Sequence, residues 1–132
     1  MKVFKFGGAS VKNAEGVKNI LSVLKTTEEK DLVVIVSAMG KMTNQLELLV
    51  ANYFTKPSHV GASIIQVYDF HYQISSSLFK NTSHPIFNLL IKYKNELQFF
   101  LESNKSNDHS FVYDQVVSYG ELISTSIISS YL

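Results

Sequence analysis

An α/β fold, with a parallel-rich sheet flanked by helices, is what this 132-residue sequence predicts, and three observations carry that expectation. Short apolar runs alternate with amphipathic stretches of helical period through the first 56 residues. The second run, Leu32–Ser37 (LVVIVS), is apolar at every position but its last, as a parallel strand covered on both faces reads. Each run then ends in a glycine-bearing turn that leads into a helix.

The elements follow in order. Met1–Phe6 is the first expected strand: Val3, Phe4 and Phe6 suit a pleated surface, and the pair Gly7-Gly8 stops it. Asn13 caps a helix with Val17, Ile20, Leu21 and Leu24 at i, i+3, i+4 and i+7, and polar residues 26–31 close it. Strand Leu32–Ser37 runs through SAMGKMTN into a second helix, with Leu46, Leu49, Val50 and Tyr53 on one face. Strand, turn, helix and strand make one βαβ unit, and the pattern predicts a doubly wound sheet.

After Pro57 the character changes. Residues 62–79 and 85–101 are aromatic-rich and helical in period, with Pro85 where a first helical turn accepts it. Tyr68, Tyr72, Phe79, Phe87, Phe99 and Phe100 are expected in the core. A polar loop over 104–110 precedes a short apolar segment ending VVSYGE. Leu122, Ile123, Ile127, Ile128 and Tyr131 then mark a last helical face. That apolar pattern is still running at Leu132, and two strands make a poor sheet. The expectation is therefore the opening portion of a larger α/β domain, with some apolar surface left open to self-association.

Composition narrows the function. Net charge is +1, which suggests no nucleic-acid partner and no anionic membrane surface. All 12 basic residues are lysines, so no guanidinium is present to clamp a carboxylate or phosphate in bidentate fashion. Any bound anion must be held by lysine ammonium groups, backbone N–H groups and hydroxyls. There is no cysteine, hence no disulfide, thiolate nucleophile or cysteine-based metal site. His59, His71, His84 and His109 are scattered at no ligand-like spacing, so no protein-bound metal is expected. No run approaches the ~20 apolar residues of a membrane span and no signal-peptide pattern opens the chain, which makes a cytoplasmic protein the expectation.

Two loops invite chemistry. In open α/β sheets, ligands bind beyond the carboxyl ends of the strands, where FGGAS (6–10) and SAMGKMT (37–43) both fall. Each offers glycines for close backbone approach, a following helix N-terminus and a lysine, Lys5 or Lys41. Neither is a Walker A loop, because Gly40-Lys41 is followed by Met42 and position 35 is isoleucine. G-x-G-x-x-G is absent as well. From position alone each residue also has a plainer reading. Lys5 could be a strand-end lysine reaching water, Ser37 and Thr43 helix caps, and Glu121 a first-turn acid favoured by the helix dipole.

Lys-Phe-Gly-Gly-Ala-Ser-Val, then Val-Ile-Val-Ser-Ala-Met-Gly-Lys-Met-Thr-Asn, then Val-Ser-Tyr-Gly-Glu-Leu-Ile-Ser together resemble aspartate kinase, of the amino acid kinase family. That family opens on K-F-G-G-T-S, continues with a strand ending S-A and a downstream Thr-Asn, and carries a G-E-L-x-S element third. The resemblance covers the whole chain. It implies part of a three-layer sandwich: the N-terminal portion of a catalytic domain, with the remainder and the regulatory ACT domains lying later in sequence.

The resemblance also implies roles. Lys5 matches the catalytic lysine that contacts the terminal phosphates of ATP. Gly7 and Gly8, with Ser10 beside them, match the phosphate-binding backbone, and Ser37 matches the serine ending the second strand. Thr43 and Glu121 match residues that bind the amino acid, the glutamate pairing with its ammonium. Ala9 departs from the family threonine and loses a hydroxyl at that position. The implied reaction moves a phosphoryl group from MgATP to the β-carboxylate of L-aspartate, the first step toward lysine, threonine and methionine. The implied enzyme is a homo-oligomer, while this portion alone is expected to be inactive. Another amino acid kinase, or a non-catalytic phosphate-binding or oligomerising module, is the alternative. Thr43-Asn44 and Gly120-Glu121-Leu122 favour aspartate among the acids.

Overall fold

The computed structural model describes every residue from Met1 to Leu132. Strand β1 (Lys2–Phe6) leads to helix α1 (Ala14–Lys25), strand β2 (Leu32–Val36) and helix α2 (Met42–Thr55). A 3-10 turn (Pro57–His59) then opens a run of four helices: α3 (Val60–Leu78), α4 (Pro85–Ser103), α5 (His109–Val117) and α6 (Tyr119–Tyr131). β1 and β2 pair in parallel, with Lys2 opposite Leu32 and Lys5 opposite Ile35. The βαβ unit read from the sequence is therefore present, and the chain is α/β and helix-rich.

Local chemistry explains where the helices begin. The Asn13 side chain accepts a hydrogen bond from the Gly16 N–H at 2.9 Å and starts α1. Pro85 occupies the first turn of α4, where its missing N–H costs nothing, and the His84 ring accepts from the Ile86 N–H at 3.0 Å. Asp108 caps α5 through the N–H groups of Ser110 and Phe111. That cap shortens the polar loop expected over 104–110 and turns the supposed apolar segment into a helix. By contrast, α2 and α6 start at Lys41 and Ser118 with no side-chain cap.

Two apolar clusters fill the interior. One joins the sheet to α1, the second half of α3, the first half of α4 and α6, through Val17, Ile20, Ile74, Leu78, Ile86, Leu90 and Ile127. The other joins α2 and α5 to the remaining halves of α3 and α4, through Leu46, Leu49, Ile64, Leu97 and Val112. Phe70 and Tyr119 pack against both clusters. The change of composition at Pro57 is thus no break in packing, since α2 shares its core with α3, α4 and α5.

Three expectations need correction. The run Leu32–Ser37 is not covered on both faces: Phe6 and Val36 pack into the core, while Val3, Lys5, Val33 and Ile35 stand exposed on the other face. A run that is apolar on both sides allows two covers, but these helices supply one. Phe99 is 71% exposed rather than core, and Leu122 is 45% exposed, because their sides of α4 and α6 meet no other element. Finally, Ser37 and Thr43 cap no helix. Ser37 lies four residues before the α2 cap Lys41, and Thr43 is already inside the first turn.

Candidate functional site: two glycine loops at the strand ends

The strands end side by side, and their following loops are tied to each other. After Phe6 the chain turns tightly, with Ser10 N–H donating to Gly7 O at 3.0 Å and Val11 N–H to Gly8 O at 3.3 Å. Ser37 N–H continues the ladder by donating to Phe6 O at 3.0 Å. The Gly40 N–H then reaches across to Gly8 O at 3.2 Å and joins the two loops directly.

Glycine is required at two of these positions for different reasons. Gly40 has φ +54°, the left-handed region that side chains disfavour. At Gly8 a Cβ would stand 3.0 Å from Gly40 O and 3.3 Å from Ala38 O, so a side chain there would push the loops apart. A Cβ on Gly7 would meet nothing within 4 Å, which leaves that backbone open to an approaching ligand.

Lys5 rises from the bare face of β1, exposed, and takes part in none of the ion pairs of the chain. Ala9 and Ser10 are exposed at the turn. Thr43 sits half-buried in the uncapped first turn of α2, whose free N–H groups and dipole favour an anion. A cavity of about 290 Å³ opens beside that turn, between Lys41, Met42, Gln45, Gln66 and Phe70.

Helix α6 brings Glu121 to the same end. Its first turn carries Gly120, buried, where a Cβ would lie 2.9 Å from the Ala38 Cβ and 3.3 Å from Leu46 Cδ1. Only the absence of a side chain lets α6 rest on the strand end and on α2. Ser124, one turn later, donates to Ser37 O at 2.7 Å. Glu121 itself is exposed beside this contact.

Gly7, Gly8, Ser10, Ser37, Thr43 and Glu121 thus lie beyond the carboxyl ends of β1 and β2, and Lys5 is the last residue but one of β1. Two neighbours escaped the sequence reading. Tyr113 on α5 donates to Glu47 at 2.8 Å, and Glu47 lies one turn beyond Thr43 on α2. The bond to Glu47 raises the Tyr113 pKa above the usual phenol value, with burial and the charges of Glu47, Asp114 and Glu121 adding smaller effects. Residues 47 and 113 belong to no motif, and only the fold brings them together.

A larger cavity, about 720 Å³, lies away from these loops between Tyr53, Phe54, Ile64, Lys94, Leu101 and Glu102. Tyr53 is ten residues beyond Thr43 along α2, about 15 Å at 1.5 Å per residue. It is not the site that the loops build.

Comparison with known proteins shows the family and the fold. The model of the amino acid kinase family matches residues 1–132. Over 98% of its length the chain is 32% identical to the chloroplastic aspartokinase 1 of Arabidopsis thaliana, of which it spans 23%. A 47-residue stretch is 47% identical to the aspartokinase of Rickettsia conorii and spans 12% of it. Among solved structures, E. coli aspartokinase III in complex with lysine and aspartate superposes with a TM-score of 0.83 at 22% identity, covering 98% of this chain and 28% of that one. The same enzyme with aspartate and ADP gives 0.80. At that identity the superpositions speak for the fold, and the family model together with the sequence relatives speaks for descent: this chain belongs to the amino acid kinase family.

Proposed function

We propose that this chain supplies the phosphate-binding loops and part of the amino acid site of an aspartokinase, which transfers the γ-phosphoryl group of MgATP to the β-carboxylate of L-aspartate to give 4-phospho-L-aspartate. The observation that carries the reading is the pair of glycine loops joined by the Gly40–Gly8 bond, with the unpaired Lys5 beside them. E. coli aspartokinase III, one of the solved structures that this chain resembles, is seen in complex with aspartate and ADP, which supports carrying both ligand classes over to this chain. A cytoplasmic location belongs to the same reading, and no helix is long and apolar enough to cross a membrane.

The residues suit this chemistry. A free β-carboxylate, with a pKa of ~3.9, is ionised at neutral pH, so the acceptor needs no general base. What the site must provide is alignment and positive charge around the moving phosphoryl group. Gly7, Gly8 and Ser10 offer open backbone and a hydroxyl for the phosphates, and Lys5 offers an ammonium. At about 4 Å and an effective dielectric of 20, one such charge is worth on the order of 4 kcal/mol before desolvation. Enzymatic accelerations start near 8 kcal/mol, so Lys5 acts with further groups. Ser37 stands at the strand end between the two loops. Thr43, at the open start of α2, and Glu121, at the open start of α6, hold the carboxylate and the ammonium of the amino acid.

Two measurements test this. In a ¹⁵N-labelled chain, magnesium tripolyphosphate should shift the amides of residues 6–10 and 40–43, and Lys5→Gln should weaken that binding about tenfold. Silence at both loops, with association that grows with concentration, would instead favour a non-catalytic module. In a coupled assay the 132-residue chain alone, without any arginine, should show negligible aspartate-dependent ATP turnover. Turnover near that of a full-length aspartokinase would contradict the assignment of only part of a site to these residues.

A further inference from the structure

The G-E-L-I-S element contains one residue to which the chemistry above gives no task, Ser124. A serine inside a helix commonly returns its hydroxyl to the carbonyl of the preceding turn. Ser126 does so to Leu122 O at 2.9 Å, and Ser129 to Ser126 O at 3.3 Å. Ser124 does not. Fully buried, it donates at 2.7 Å to the carbonyl of Ser37, a residue 87 positions away in sequence.

That carbonyl is the first beyond the end of β2. The N–H of Ser37 is already held by Phe6 O, so both polar groups of this residue are fixed, one by β1 and the other by α6. Three residues later the Gly40 N–H is fixed by Gly8 O. The reversal 38–40 is therefore suspended between two anchors, Ser124 behind it and Gly8 in front. Gly120 sits against Ala38 in the same reversal, so α6 touches it twice within one turn, and Glu121 projects from that turn.

We infer that Ser124 is a positioning residue: its hydroxyl sets the second glycine loop against the first and fixes Glu121 in register with both. A helix contacting the loop through Gly120 alone would be free to slide along it. A directional bond from Oγ to Ser37 O removes that freedom, because a hydrogen bond weakens steeply when its angle or length departs from the optimum. The inference rests on the proposed function only for what the loops hold. The coupling of α6 to the loops is a property of the chain itself.

Hydrogen exchange in the ¹⁵N-labelled chain decides it. Ser124→Ala removes the hydroxyl, and Ser124→Cys keeps nearly the same volume with a much weaker donor, which guards against a folding failure of either variant. Ser129→Ala, an exposed helical serine whose hydroxyl bonds only within its own helix, is the control. Both Ser124 variants should speed exchange of the Gly40 amide about fivefold relative to core amides of α1 and α3, the factor that one neutral hydrogen bond supports. Ser129→Ala should leave Gly40 as it is. Binding of magnesium tripolyphosphate should weaken several-fold in the two Ser124 variants. Gly40 exchange that is unchanged, or that rises only in step with the core amides, would overturn the inference by making Ser124 an ordinary packing residue. If the unsubstituted chain binds no tripolyphosphate, the kinase reading fails, while the exchange rates still decide the role of Ser124.

Discussion

Denaturant unfolding at pH 7.5 and at pH 4.0 is expected to give stabilities that differ by about 3 kcal/mol, with the lower value in acid. The cause is His71, 1% exposed on α3. Its Nδ1 lies 2.8 Å from Val67 O, which can only accept, so the proton sits on Nδ1 and Nε2 is left as a buried acceptor with no partner. Charging the ring would put a cation among Ile64, Val67, Leu90, Leu97 and Ile123, where Tyr68, Tyr93 and Lys94 complete the lining and no carboxylate-bearing residue takes part. Burial lowers the pKa from 6.5 to about 4, with the bond to Val67 as a smaller opposing effect.

The sign follows from which state takes up the proton first. Between pH 6.5 and about 4 the unfolded chain binds a proton that the folded chain refuses, so stability is whole above 6.5 and falls as the pH drops through that window. Below about 4 both states are protonated and this contribution levels off. A shift of that size corresponds to about 3 kcal/mol at 1.36 kcal/mol per unit. His71→Gln should flatten the profile between pH 6.5 and 4. An unchanged slope in that variant would assign the acid sensitivity to other groups.

Gly120→Ala is expected to cost about 2 kcal/mol, within the usual range for an overfilled core, although alanine is the better helix former. The new Cβ would stand 2.9 Å from the Ala38 Cβ, and a Cβ cannot rotate away. Leu46 Cδ1, at 3.3 Å, is the end of a flexible side chain and can yield. The clash is therefore with Ala38, and exchanging the two residues should relieve it. In thermal or denaturant unfolding, Ala38→Gly combined with Gly120→Ala should recover most of the loss. A double variant no more stable than Gly120→Ala alone would mean that Leu46, or helix α6 as a whole, resists the added methyl group.

Much of this architecture was legible because it rests on local rules. Asn13, Pro85 and the spacing of Leu46, Leu49 and Val50 announce their elements through chemistry confined to one or two turns. Helix α5 was missed because HSFVYDQVV, with three valines and two aromatic residues, reads like a strand. Its one local signal was the Asp108 cap. Apolar character alone misplaces Phe99 and Leu122, because each shares its exposed side with mostly polar residues, Asn95, Gln98 and Glu102 on α4 and Glu121, Thr125 and Ser129 on α6.

The site divides the same way. The glycines and Lys5 stand together in sequence, so their shared location could be read directly. That Gly8 must be small because Gly40 lies over it depends on what the fold sets opposite. So do the bond of Tyr113 to Glu47 and that of Ser124 to Ser37.

The uncovered face of the two-stranded sheet has a consequence for how copies of this chain treat one another. Val3, Val33 and Ile35 form a flat apolar strip on strands with unpaired edges, the geometry onto which another strand or sheet readily adds. Lys5 stands on the same face, opposite Ile35 at the carboxyl end of the strip, and stacking a second sheet there would bury its ammonium. The side chain proposed to greet a phosphate therefore also acts as a gatekeeper against aggregation, and an anion that neutralises it lifts the guard while filling the loop.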